Sequence, residues 1–376
     1  MVLPEEFASC DKAQLLLNLS VLMDRPTGIS IYAQSILPYL ESLAPMVLSV
    51  AQIGKFQHHE IPDGLSSDSG SIGHLRRLYW LQRKLPKICR QLEKAKSGTV
   101  SSLIFSPVPE APLFCGCRSV VMVHDTIPLR FPAVFPRTLV GYFQYYVKQV
   151  VAQAEHVLCN SVATARDVAT FYQVPASKVT PVLLAHDSQS FRPCATEVGN
   201  YFLYVGRHNP HKNLNRLIAA FAGVCKIDTE VMLWVVGPQD ERYTPGLMAQ
   251  VRELGLTGRV QFLDYVKRSH LPIILSNAIA LTFPSLWEGF GFPVLEAMAC
   301  GTPVITSNIS SLPEVAGDAA LLVDPYNVDE LSSAMRRVLQ EPALAQQLSQ
   351  AGLARARAFS WQRTGQQTVS VLKRFL

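Results

Sequence analysis

The chain has 376 residues, 48% hydrophobic and 17% charged; at roughly 100–200 residues per domain the length suits two domains, and this much apolar material excludes intrinsic disorder as the general state. Lys+Arg 34 against Asp+Glu 29 leaves +5, too slight an excess for a nucleic-acid binder that works by neutralising many phosphates. Of that excess, +4 falls in residues 1–196 (18 basic, 14 acidic) and +1 in residues 197–376 (16 and 15).

Glu5, Glu6 and Asp11 precede the apolar run Leu15 to Met23, which lacks the basic region and cleavage site of a signal peptide. No stretch approaches ~18 uninterrupted apolar residues, so no membrane-spanning helix is expected. The eight Cys form no CxxC pair and no zinc-ligand spacing, only Cys115-Gly116-Cys117; scattered thiols in a chain this large suggest a reducing cytosol. Short β-rich runs alternate with helical patterns throughout, which predicts an α/β protein with parallel, doubly wound sheets.

The first series of expected strands is Gln14–Leu22, Leu103–Phe105, Val120–Val123, Val157–Cys159 and Val179–Leu184. After the first comes Asp24-Arg25-Pro26-Thr27-Gly28-Ile29-Ser30, where Gly28 allows backbone N–H groups close to a phosphate or sugar, or simply makes a turn. His74 to Lys96 carries eight basic residues and one acidic. At 100° per residue Leu75, Leu78, Leu81, Leu85, Ile88, Cys89 and Leu92 fall on one side, with Arg76, Arg83, Lys84, Lys87, Arg90 and Lys94 opposite. That is a basic amphipathic helix broken or kinked near Pro86, suited either to anionic lipid or to burial of its stripe in a soluble core. His124 and Asp125 follow Val120–Val123; strand alternation predicts that only one of them faces a given ligand. His124 is then either a partner for a substrate hydroxyl or a satisfied buried histidine.

The polar segment His186–Asn200 marks the boundary, dividing residues 1–192 from 193–355, with a C-terminal amphipathic helix over about 356–376. The second series is Tyr201–Val205, Val231–Val236, Val260–Phe262, Ile279–Phe283, Val304–Thr306 and Ala320–Val323. Ligands of open α/β sheets bind beyond the carboxyl ends of strands. After Tyr201–Val205, Arg207 and Lys212 flank a loop and are able to converge on a diphosphate. After Ile279–Phe283 stands Pro284-Ser285-Leu286-Trp287-Glu288-Gly289-Phe290-Gly291-Phe292-Pro293-Val294-Leu295-Glu296. Glu288 and Glu296 are suited to the vicinal hydroxyls of a hexose and a ribose. Gly289 and Gly291 bring backbone N–H groups and a helix N-terminus toward a diphosphate between them. Val294 at the third glycine position disfavours a dinucleotide fingerprint, and no pair of Asp at i, i+2 offers a metal site.

Together these residues resemble the retaining GT-B glycosyltransferases of the GT4 type, bacterial mannosyl- and glucosyltransferases among them. The resemblance spans almost the whole chain. It runs through Pro26-Thr27-Gly28-Ile29 with Tyr32, Val123-His124-Asp125-Thr126-Ile127-Pro128, Val205-Gly206-Arg207 with Lys212-Asn213, Glu288 to Glu296, Cys300-Gly301-Thr302-Pro303-Val304 and Phe359-Ser360-Trp361. It implies two Rossmann-like domains facing across a cleft, an acceptor-binding domain (1–192) and a donor-binding domain (193–355), with helix 356–376 packing back on the first.

It also implies a donor set of Gly28, Arg207, Lys212, Glu288, Gly289, Phe290, Gly291 and Glu296, with His124, Arg207, Lys212 and Glu288 catalytic and no metal. In that set Glu296 holds the ribose and Glu288 the sugar. The implied reaction moves a hexose, mannose before glucose, from GDP-mannose or UDP-glucose to a saccharide or lipid-linked acceptor with retention. The departing phosphate takes the acceptor proton. Ala185-His186-Asp187 stand where the family commonly has Gly. The implied setting is the cytoplasm, at the inner face of the membrane if residues 74–96 bind lipid. An epimerase of the same architecture and a non-catalytic scaffold are the competing readings.

Overall fold

A computed structural model of the chain describes residues 13–22, 28–66, 70–95, 101–194 and 198–376. Glu5, Glu6, Asp11, Met23 to Thr27 and Lys96 lie outside the described residues.

The first sheet holds β1 (Leu15–Asn18), β2 (Met46–Ser49), β3 (Gln57–Glu60), β4 (Leu103–Ser106), β5 (Arg118–Val123), β6 (His156–Cys159) and β7 (Val179–Pro181) in the order β3-β2-β1-β4-β5-β6-β7. The second holds β8 (Tyr201–Val205), β9 (Met232–Val236), β10 (Val260–Leu263), β11 (Ala280–Phe283), β12 (Val304–Ser307) and β13 (Leu321–Val323) in the order β10-β9-β8-β11-β12-β13. Every pairing in both sheets is parallel. The central strands are buried and mostly apolar, β1, β4 and β11 each without an exposed residue, as helices on both faces require.

Each sheet reverses its winding once, between β1 and β4 and between β8 and β11, and such switch points open the crevices that bind ligands. β2 and β3 lie outside the sequence expectation. β3 reads Gln-His-His-Glu and is half exposed at the sheet edge, so it has no apolar alternation to betray it. β1 stops at Asn18, short of the expected Leu22, because the Asn18 Oδ1 accepts from Ser20 N at 3.2 Å and from Ser20 Oγ at 2.7 Å. That Asx turn offers the backbone an alternative to the ladder.

The basic segment forms two helices, Gly70–Arg83 and Leu85–Ala95, with the break at Lys84 and Pro86 inside the first turn of the second, where a missing N–H costs nothing. The helix Trp361–Leu372 lies against the helix Gly28–Leu40, and Thr364 Oγ1 donates to Leu183 O at 2.7 Å. The C-terminus of the chain therefore packs on the first sheet's side of the molecule.

Candidate active site

The two switch points face each other across a cleft of about 820 Å³. Gly28, His124, Arg207, Lys212, Glu288, Gly289, Phe290 and Gly291 all line it. Of the expected set, Glu296 is absent from that lining.

Lys212 closes a single 3-10 turn, Pro210–Lys212, ended by Asn213 at φ 65. The Asn213 Nδ2 donates to Pro284 O at 3.0 Å and Pro325 O at 2.7 Å, and Leu286 N donates to His211 O at 2.7 Å. The loop after β8 is thus sewn to the loop after β11. Lys212 Nζ then meets Glu288 Oε1 at 2.6 Å, with both side chains largely buried. Arg207 follows Gly206 and is exposed at the cleft rim, so two cations stand at one end of the cavity, one paired and one solvated.

The Glu288 loop is fixed from below. Ser311 Oγ lies 3.0 Å from Glu288 O and 2.7 Å from Phe290 O, and Glu288 N donates to Ser310 Oγ at 3.3 Å. Gly291 has φ +115 and stands immediately before the helix Phe292–Ala299, a conformation that side chains with a Cβ rarely adopt. Gly289 answers a different constraint: a Cβ there would lie 2.0 Å from His124 O and 3.1 Å from Asp125 Cβ. The two halves of the molecule touch at that glycine.

His124 and Asp125 both line the cleft, and the expectation that only one of them faces a given ligand rests on strand alternation. β5 ends at Val123, so strand alternation no longer governs them. His124 Nε2 lies 2.8 Å from Pro107 O. A carbonyl only accepts, so that nitrogen carries the proton and Nδ1 holds the lone pair. Burial pushes the ring down to about 4, which makes it a neutral hydrogen-bonding group at pH 7. Its ring stands edge-on to Tyr32 at 5.4 Å. Burial also raises the Asp125 carboxyl, while its backbone bond from Ile127 N at 3.1 Å pulls the other way.

Glu296, on the helix Phe292–Ala299, instead meets Arg268 Nη2 at 3.0 Å. Burial pushes its carboxyl up to about 7, against the pull of Arg268. An acid whose folded pKa is raised binds its proton more tightly folded than unfolded. Its charge therefore costs stability progressively as pH rises from about 4.5 to about 7. Glu296→Gln carries no such titration, so its thermal midpoint should gain on the wild type between about pH 5 and about pH 8. Parallel midpoints across that range would contradict the assignment.

Two cleft residues, Arg77 and Asn160, escape sequence reasoning, and a third, Asp125, receives no role from it. Arg77, only 6% exposed, forms a two-pronged pair with Glu110 at 2.7 and 2.9 Å and donates to Leu65 O at 2.8 Å. Asn160 follows β6, is buried, and its Oδ1 has no protein partner. Asp125 is set aside by the alternation argument. Asp125 is noticed after its strand but given no role, only its position after a strand end could have flagged Asn160, and Arg77 is hidden among the other cations of its segment. Among the described residues no group of three or more His, Cys, Asp or Glu is placed to hold a metal ion.

Comparison with known proteins gives two family matches: "Glycosyltransferase Family 4" over residues 27–185 and "Glycosyl transferases group 1" over residues 188–355. O-antigen chain mannosyltransferase B of Escherichia coli is 30% identical over 268 residues, 68% of this chain and 70% of that protein. O-antigen chain mannosyltransferase RfbU of Salmonella typhimurium is 30% identical over 338 residues, 87% of this chain and 92% of that protein. Among solved structures, HepE of Anabaena in complex with UDP-glucose superposes with a TM-score of 0.71 at 18% identity, covering 96% of this chain and 99% of that one.

Proposed function

The chain belongs to the GT4-type glycosyltransferases and is a hexosyltransferase on the two-domain GT-B architecture, and from that premise we propose that it moves mannose from GDP-mannose to a saccharide or lipid-linked acceptor with retention. The observation that carries the donor assignment is the convergence of Arg207, Lys212, Glu288 and the Gly289–Gly291 turn on one cleft. Mannose takes precedence over glucose because two relatives are named mannosyltransferases; the UDP-glucose complex of HepE supports a nucleotide sugar as the donor class.

In this reading the diphosphate lies between Arg207, Lys212 and the N-terminus of the helix Phe292–Ala299. Lys212 leaves Glu288 for the phosphate, and the released carboxylate takes sugar hydroxyls. Breaking the anomeric C–O bond builds negative charge on the leaving diphosphate, so cations held in place stabilise the transition state more than the ground state. The reading assigns no metal. Neutral His124 offers its Nδ1 lone pair to a hydroxyl near the sugar. The leaving phosphate oxygen takes the proton of the attacking acceptor hydroxyl as the new glycosidic bond forms on the same face. Glu296 serves the ribose only after Arg268 shifts.

The acceptor side agrees with an amphiphilic or membrane-borne acceptor. Ile72, Leu75 and Tyr79 are 62%, 64% and 62% exposed, so Leu75 does not join the buried part of the stripe. A second groove of about 840 Å³ is lined by Leu75 and Tyr79, with Arg76, Lys84 and Lys87 on its walls and the carboxylates Glu60 and Asp63 at the same groove. Cations around exposed apolar side chains suit an anionic lipid surface. Among the described residues no helix is long and apolar enough to cross a membrane.

A thermal-shift panel of GDP-mannose, UDP-glucose and an ADP-sugar tests the donor. A ligand at ~100 times its Kd stabilises the fold by about 2.7 kcal/mol, so GDP-mannose should give the largest upward shift. A larger shift with UDP-glucose would reassign the donor, and no shift with any of them would remove the reading.

A further inference from the structure

The helix Val162–Tyr172 begins immediately after β6, on the first sheet's side of the cleft. The first N–H groups of a helix have no partner within it. Here Ser161 Oγ accepts from Thr164 N at 3.0 Å, and the two remaining bonds come from the opposite domain. Val162 N donates to one carboxylate oxygen of Glu314 at 2.7 Å and Ala163 N to the other, also at 2.7 Å. Thr164 Oγ1, in the same turn, donates to Gly289 O at 3.1 Å. One helix turn therefore grips the second domain twice, and the second grip falls on the residue after Glu288.

Glu314 is a fixed arm. It belongs to the short helix Leu312–Ala316, whose carbonyls at Glu314 and Val315 accept from Arg355 at 2.6 and 2.9 Å. A carboxylate at a helix N-terminus gains from both the oriented N–H groups and the helix dipole. Glu314 is only half buried, so water can replace both bonds when the domains part. That makes the contact strong enough to favour closure and weak enough to release product.

We propose that Glu314 and Thr164 are positioning residues: they latch the first turn of the helix Val162–Tyr172 to the second domain and so hold the Glu288–Phe290 loop against the His124 edge in the closed cleft. The inference rests on the transferase reading only for its effect on turnover. Closure itself is read without catalysis.

The experiment compares the ligand-free wild type with Glu314→Ala, Glu314→Gln, Thr164→Val and Thr164→Ser by small-angle scattering, thermal unfolding and steady-state kinetics. Both Glu314 variants should show a larger radius of gyration, with kcat about 10- to 100-fold lower and a larger share of the donor lost to water. Thr164→Val should lower kcat more than it raises KM, and Thr164→Ser should restore most of the rate. Thermal unfolding identifies any variant that fails to fold; if Glu314→Ala does, Glu314→Gln and Thr164→Val carry the comparison. An unchanged radius of gyration in a folded Glu314 variant overturns the latch, whatever its kcat. So does a Thr164→Val enzyme with the wild-type rate. If the wild type itself transfers no sugar while Glu314→Gln still expands, the transferase reading fails and the latch stands.

Discussion

Lys212→Ala should lower kcat by about 10²–10³-fold, the loss seen when a single fixed group facing developing charge is removed. The substitution has a second effect that the sequence did not reveal. Lys212 neutralises Glu288, which is 8% exposed, and removing one partner of a buried pair strands the other charge. Lys212→Ala should therefore also lower the thermal midpoint, whereas the double variant Lys212→Ala, Glu288→Gln should recover stability without recovering rate. Glu288→Ala should lose rate to a similar degree with a smaller stability loss, because Lys212 is more exposed than its partner and can hydrate. Steady-state kinetics with calorimetry on the four proteins checks this; a single variant of either residue keeping near-full activity would refute its role.

Gly289→Ala is the second large effect. A single methyl group at this position meets backbone, not a flexible side-chain end, so the domains must part or the Glu288 loop must move. A misplacement of ~1 Å at a reacting site can cost about 10²-fold in rate, and kcat should fall by at least that much. The clash is confined to the contact of Gly289 with His124 and Asp125, so circular dichroism should be unchanged. A Gly289→Ala enzyme with the wild-type rate would show that the contact with His124 is dispensable.

That glycine also shows where sequence reading reaches its limit. Its place in a Gly-rich loop before a helix is legible, and the loop does reach the cleft. The reason read from the sequence is access of N–H groups to a phosphate; the structure adds a contact with the other domain, which no local pattern encodes. The same holds for Glu314, whose carboxylate looks like any other surface acid until the helix Val162–Tyr172 is placed opposite it. The strands with continuous apolar runs, such as β4, β8 and β11, are legible because burial on both faces leaves its mark in composition. β3 is polar and carries no such mark, whereas β2, Met-Val-Leu-Ser with three buried residues, carries one as clear as that of β4 and is missed all the same. The sequence assigns Glu296 to the donor from its place after the Gly-rich loop and from the resemblance, and its pairing with Arg268 depends on the loop after β10.

Acceptor-dependent release of nucleoside diphosphate from GDP-mannose is the decisive measurement for hexosyl transfer at the cleft between the two sheets. Wild-type protein should release GDP in step with glycoside formation when a saccharide or lipid-linked acceptor is added, and Lys212→Ala should do so at a small fraction of that rate. Conversion of the sugar nucleotide without GDP release, or release unaffected by Lys212→Ala, would contradict the account.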